Sequence, residues 1–226
     1  MIKIEDLHKS YGKKQALINV NMRFDEGRVY GIVGENGSGK TSLFRCMAGL
    51  EEYQGKISSD QPKLKDHLGL LLTEPFFFPK ITAIEYITLI CNARKTKPGE
   101  LEQKNIFDLP LNQYASTYST GMKKKLALTA ILLLKNKYYV LDEPYNGVDI
   151  QSNLIITDII HQLKKLGKIV ILSSHIFSAL SETCDQIHLL RAGQLVKKVE
   201  KKDFNLLEQE MKQYSLGNKI EKLELK

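Results

Sequence analysis

Eight consecutive residues, Gly34-Glu35-Asn36-Gly37-Ser38-Gly39-Lys40-Thr41, follow the pattern of a phosphate-binding loop: a glycine, four residues, then Gly-Lys-Thr. An apolar run containing Val29, Tyr30, Ile32 and Val33 precedes them and a helical segment from Thr41 to Ala48 follows. Glycines let successive backbone NH groups converge on phosphate oxygens, at a helix N-terminus whose partial positive charge favours an anion. Gly34, Asn36, Gly37, Ser38, Gly39 and Ser42 are the expected cradle. Lys40 is expected to reach the β and γ phosphates, and the Thr41 hydroxyl to complete part of a magnesium shell.

Further along, Leu141-Asp142-Glu143-Pro144 ends an apolar strand with two adjacent carboxylates. Side chains adjacent at a strand end diverge, so Asp142 is assigned to the metal and Glu143 to a general base beside the γ-phosphate. His175 follows the apolar run Ile171-Leu172-Ser173-Ser174, a strand-end position from which an imidazole could contact the γ-phosphate and place a water. Tyr118-Ser119-Thr120-Gly121-Met122 opens a helix with hydroxyls and a glycine in its first turn. That is either a second anion site or ordinary helix capping.

The elements that must position these residues alternate along the chain. Residues 1 to 30 read as strands joined by turns: Ile2-Lys3-Ile4 alternates, Tyr11-Gly12-Lys13-Lys14 is a turn, and Leu17 to Phe24 alternates again. A helix bearing Leu43, Phe44 and Met47 closes at Gly49; Gln54 to Ile57 and Leu68 to Leu72 read as strands. The composition then changes. Between about 74 and 133 lies an expected helical insertion, with a capping box at Thr82-Ala83-Ile84-Glu85 starting a helix to about Ala93. Residues 94 to 110 read as loop with room for one short helix, and Ser119 or Thr120 starts the next. Strands at 138 to 141 and 169 to 172 alternate with helices near 151 to 166 and 177 to 184, followed by a hairpin around Arg191-Ala192-Gly193. The expectation is an α/β fold, a P-loop NTPase core with a mainly parallel sheet and ligands at the strands' carboxyl ends, plus an N-terminal antiparallel β subdomain. Residues 1 to 200 form that unit and 201 to 226 a charged tail, helical in part, with Phe204, Leu207, Met211 and Tyr214 on one face.

The 226 residues suffice to bury a core, and no apolar run approaches the roughly 18 residues of a membrane span, so a soluble chain is expected. Three scattered cysteines fit a reducing compartment and argue against disulfides or a zinc site. The formal charge of +7 is spread over helices and tail without an aromatic-basic cluster. It reads as solvated surface, attraction to an anionic membrane surface being the lesser reading, and no direct nucleic-acid contact is expected.

The order of phosphate loop, helical insertion, Tyr118 to Met122, Leu141-Asp142-Glu143-Pro144, Gly147-Val148-Asp149 and His175 resembles the nucleotide-binding subunit of an ABC transporter, over about residues 1 to 200. The resemblance implies ATP and Mg2+ as ligands, ATP hydrolysis, and a dimer in which each signature segment closes over ATP held by the other subunit. It implies that Ser119 and the Gly121 NH touch the partner's γ-phosphate with Thr120 and Met122 beside them. Asp149 would lie in the loop joining the two sites, and Tyr11 would stack on adenine, unless it is an ordinary turn aromatic. A homodimer, separately encoded transmembrane permease subunits and a cytoplasmic position peripheral to the membrane complete the expectation.

Several positions depart from the family pattern. The magnesium-sensing glutamine falls at Thr73, whose side chain is shorter; Glu74 or water would have to replace its reach. Thr120 replaces a signature glycine, Met122 a glutamine, and Asn146 a serine. The form Tyr-Ser-x-Gly-Met resembles ATPases of ABC-2 type exporters. Phe76-Phe77-Phe78 suits either a permease contact or local core packing. An alternative is a non-transport ABC-type ATPase acting on nucleic acid or ribosomes, but this chain carries no second nucleotide domain, long coiled coil or zinc insertion. A P-loop kinase or GTPase leaves the signature unexplained.

Overall fold

Two interleaved apolar patterns build the centre of the molecule. Along Val29–Val33 (β3), Tyr138–Leu141 (β6) and Ile169–Ser173 (β7) every residue is buried, so each strand is covered on both faces. Alternation sorts the side chains: Val29, Val33, Tyr139, Leu141, Val170 and Leu172 enter one core, while Tyr30, Ile32, Tyr138, Val140, Ile169 and Ile171 enter the other.

The computed structural model describes residues 1–216, with side chains through Gln213. Two sheets form. Ile2–Tyr11 (β1), Lys14–Phe24 (β2) and Gln54–Ser59 (β4) make an antiparallel sheet in the order β2-β1-β4. The larger sheet runs β5-β6-β7-β3-β8-β9, where β5 is Leu68–Leu71, β8 Gln186–Arg191 and β9 Gln194–Glu200. Its first five strands are parallel, and β9 returns antiparallel to β8 through Ala192-Gly193. Helix α1, Lys40–Met47, buries Leu43, Phe44 and Met47 in the core that also holds the apolar face of the small sheet. The opposite core is shared by Ala83–Ala93 (α2), Thr120–Leu133 (α3), Ile150–Lys165 (α4), Phe177–Thr183 (α5) and Phe204–Leu216 (α6).

Local signals act where chain chemistry requires. The Thr82–Glu85 capping box forms, with the Glu85 N–H donating to Thr82 Oγ1 at 3.3 Å and the Thr82 N–H to Glu85 Oε2 at 2.8 Å. Ser119 caps α3, accepting from the Met122 N–H at 3.2 Å. Two expectations change. The antiparallel strands run longer than their alternating segments, so the turn shrinks to Gly12-Lys13 and Tyr11 ends β1. Residues 94 to 110 contain turns and no helix, consistent with Pro98, Gly99 and Pro110 limiting helical runs. Phe204 and Leu207 of α6 are buried in the core shared by the helices α2 to α6, and Met211, partly buried, packs against it. The Tyr214 side chain and residues 217–226 of the charged tail lie outside the described residues. No helix among the described residues is long and apolar enough to cross a membrane.

Candidate functional site

The strand order explains how residues far apart in sequence meet. Strands β5, β6, β7 and β3 are consecutive neighbours and parallel, so their carboxyl ends share one edge at spacings of about 4.8 Å. Thr73 follows β5, Asp142-Glu143 follows β6, His175 follows β7, and the glycine-rich loop follows β3. These four segments open on one cavity of about 580 Å³. Of the expected residues, Tyr11, Asn36, Gly37, Gly39, Lys40, Thr41, Ser42, Thr73, Asp142, Glu143 and His175 line it.

The loop's glycines answer to different constraints. A side chain at Gly34 would place its Cβ 2.1 Å from the Leu190 carbonyl, and one at Gly39, already at φ 109°, 2.5 Å from the Ala16 carbonyl. These two pack the loop against β8 and β2. Gly37 meets nothing within 4 Å and needs its freedom for a φ of 81°, which leaves bare backbone facing the cavity. Gly34 and Ser38 turn to the loop's other side, where they line a smaller cavity, and the Ser38 hydroxyl is buried with no partner among the described residues. Lys40 Nζ donates to the Gly34 carbonyl at 2.8 Å and the Glu35 carbonyl at 3.1 Å. Burial lowers its pKa, against the opposing pull of Glu143 and Asp142.

The carboxylates diverge as their strand-end position predicts. Asp142 is buried; its Oδ2 accepts from Thr41 Oγ1 at 2.7 Å and its Oδ1 from Ser173 Oγ at 2.6 Å. Glu143 Oε2 lies 2.8 Å from His175 Nδ1 and accepts from the His175 N–H at 3.3 Å. Glu143 occupies the left-handed region at φ 51°, costly for a residue with a side chain and characteristic of functional positions. Its N–H donates to Ser173 Oγ at 2.9 Å.

No group of three or more His, Cys, Asp or Glu among the described residues could hold a metal alone. The paired Thr41 hydroxyl and Asp142 carboxylate nevertheless fit a hard cation that takes few protein oxygens and completes its shell with water and phosphate. Thr73 lines the same cavity but makes no hydrogen bond to either.

The remaining expected residues lie elsewhere. Ser119, Thr120, Gly121 and Met122 do not line the cavity, and neither does Asp149. Asp149 caps α4, accepting from the Ser152 N–H at 2.9 Å and from Lys125 Nζ at 3.1 Å; these bonds hold its carboxyl well below the usual range. Tyr11 reaches the cavity from the end of β1 with Lys9 Nζ 4.6 Å from its ring centre. The three phenylalanines divide: Phe77 packs on Tyr86 at 4.6 Å, whereas Phe76 and Phe78 are 71% and 54% exposed and pair edge to face.

Sequence reasoning missed Lys14, Ala16 and Asn146 in the cavity wall, and Ser173 and Lys124 behind it. Ser173 carried a signal, since a hydroxyl inside an apolar strand must find a partner. Lys124 carried none. It sits in Lys123-Lys124-Lys125 and reads as solvated charge, yet it is 1% exposed.

Comparison with known proteins agrees with this arrangement. The family model described as "ABC transporter" matches residues 17–146. The lantibiotic transport ATP-binding protein SrtF of Streptococcus pyogenes is 30% identical over 214 residues, covering 88% of this chain and 91% of its own. The ABC transporter ATP-binding protein NatA of Bacillus subtilis is 30% identical over 217 residues, covering 87% and 88%. The solved ATP-binding cassette MJ0796, a dimer in a post-hydrolysis state with ADP and Pi, superposes with a TM-score of 0.80 at 21% identity, over 89% of this chain and 99% of that one. With loop, carboxylate pair and strand-end histidine on one sheet edge, and a family match over more than half its length, the chain belongs to the ABC transporter family as an ATP-binding, ATP-hydrolysing subunit.

Proposed function

We propose that two copies of this chain close on two ATP molecules, that hydrolysis reopens them, and that the motion drives separately encoded permease subunits of an exporter. One observation carries the reading. The cavity gathers Asn36, Gly37, Gly39 and Ser42 of the cradle with Lys40, the Thr41–Asp142 pair, Glu143 and His175, while the Ser119–Met122 turn stays outside it and presents Ser119 and Thr120 to solvent. A second copy is then the natural source of the missing wall. The dimer described for MJ0796 supports pairing, and the transport named for SrtF favours a transporter over an ATPase acting on nucleic acid or ribosomes. Export rests on the Tyr-Ser-x-Gly-Met form. Exposed Phe76 and Phe78 offer the permease an apolar foothold, which would hold this subunit on the cytoplasmic membrane face.

Within the site each residue takes one task. The Asn36–Ser42 backbone and Lys40 hold the phosphates, and Tyr11 supports the adenine. Glu143 accepts a proton from water as the water oxygen attacks the γ-phosphorus and the bond to the ADP oxygen breaks. His175, bonded to Glu143, fixes the carboxylate and faces the γ-phosphate. A magnesium ion on Thr41 and Asp142 would neutralise charge on the β and γ oxygens. Thr73 would reach its shell only through water.

Glu143→Gln removes the base while keeping shape. Light scattering should show a monomer without nucleotide and a dimer with magnesium and ATP, and turnover should fall by at least about 100-fold, the scale of lost general-base catalysis. Unchanged turnover would remove Glu143 as base; a monomer saturated with ATP would overturn the homodimer.

A further inference from the structure

Lys124 is 1% exposed and makes no salt bridge among the described residues, although the charges of Glu143, Asp142 and Glu74 favour its ammonium against burial; its Nζ donates to the backbone carbonyls of Glu143 at 2.7 Å and Asn146 at 2.8 Å. A buried ammonium is costly, so a lysine spent on two main-chain oxygens, where a neutral residue would fill the space, implies that holding those oxygens matters. What they belong to is the strained turn bearing the proposed base. Glu143 stands at φ 51°, and both its peptide groups are held, the N–H by Ser173 Oγ and the carbonyl by Lys124 Nζ. The same helix is seated on this segment at two neighbouring points: Gly121 lies so close that a Cβ there would come 2.4 Å from the Gly147 carbonyl, and Lys125 bonds Asp149 at 3.1 Å.

We propose that Lys124 is a positioning residue for hydrolysis, fixing Glu143 in its left-handed conformation and tying it to the helix whose first turn closes on the partner's ATP. The second half of this statement rests on the sandwich reading given above; the first does not. Lys124 does not line the cavity and its Nζ is held by main-chain carbonyls, so its loss should act on the base and spare nucleotide binding.

The test is Lys124→Met, which keeps length and removes the donors, with Lys124→Gln as a second variant retaining one amide donor. For Lys124→Met the expected result is a fall of about tenfold or more in kcat, with KM for ATP and equilibrium ATP affinity within about twofold of the parent; Lys124→Gln should fall between. Where Lys124→Met does not fold, the same split is read from Lys124→Gln. A folded variant with parental kcat overturns the proposal, as does one in which affinity falls in step with kcat, the mark of a merely structural strut. Adding Glu143→Gln separates the two readings. ATP-driven dimerisation that survives in Lys124→Met/Glu143→Gln places the defect in the base, whereas failure of Glu143→Gln alone to dimerise sinks the sandwich and leaves the kcat test of Lys124 standing.

Discussion

Lys40 and Thr73 show how much a single side chain decides. The Lys40 ammonium is committed to carbonyls of its own loop in the cavity wall, where burial lowers its pKa against the pull of two carboxylates. Charged hydrogen bonds of this kind contribute about 1.5–3 kcal/mol, so Lys40→Ala should weaken ATP binding by about 10- to 100-fold in equilibrium titration, and unaltered affinity would contradict the cradle. Thr73 tests the opposite change. It lines the same cavity as the Thr41–Asp142 pair without hydrogen-bonding to it. Thr73→Gln lengthens the side chain toward that pair and should lower the magnesium concentration for half-maximal turnover by about threefold, about 0.7 kcal/mol or one modest hydrogen bond. An unchanged magnesium dependence and turnover would show that the position does not report on the metal. That Lys40, Asp142, Glu143 and His175 meet at one cavity was legible in sequence, because residue type and a strand-end or loop position place them there. Lys124 was not, because its meaning comes from two carbonyls about 20 residues downstream that only folding brings to it.

At the scale of elements, alternation and capping were legible and docking was not. The Thr82 and Ser119 starts, the buried strands and the hairpin at 192–193 follow from local pattern, whereas Tyr11 ends a strand because pairing with Lys14 extends β1 past its alternating segment. Nothing in the signature turn's own sequence says that Gly121 faces the Gly147 carbonyl. Its glycine invites a phosphate reading, and the geometry adds a packing one: a methyl group would stand 2.4 Å from that oxygen, so either α3 or the 143–149 segment must shift. Overpacking of this kind costs about 1–3 kcal/mol. Gly121→Ala without nucleotide should therefore lower Tm by about 2–12 °C in calorimetry, at roughly 2–4 °C per kcal/mol for a chain of this size. A parental Tm would mean that the helix and the segment are not tightly seated, and would weaken the case for their moving together.

For the whole molecule, the parallel sheet was legible from alternating strands and helices, but its order was not, since β3 pairs with β7 and β8 across more than 130 residues. One buried histidine lies where the two sheets meet. His188 on β8 is stacked on Phe24 of the small sheet, with ring centres 5.5 Å apart, and neighbours Tyr30. Its Nε2–H donates to Gln186 Oε1 at 2.5 Å and its Nδ1 has no partner among the described residues. Burial, with Lys198 and Arg28 adding to it, pushes its pKa down from 6.5 to about 3. The folded state thus holds the neutral ring, and between those values the unfolded chain binds the extra proton, so stability rises with pH there. This contribution is intact above about pH 6.5 and is lost progressively as pH falls toward about 3. From pH 7.5 to 5 the loss is on the order of 2 kcal/mol. His188→Phe keeps the stacked ring and cannot titrate. Denaturant unfolding at both pH values should show the variant losing less stability than the parent on acidification, by roughly that amount; parallel losses would mean that His188 is already protonated in the fold or relaxes to water.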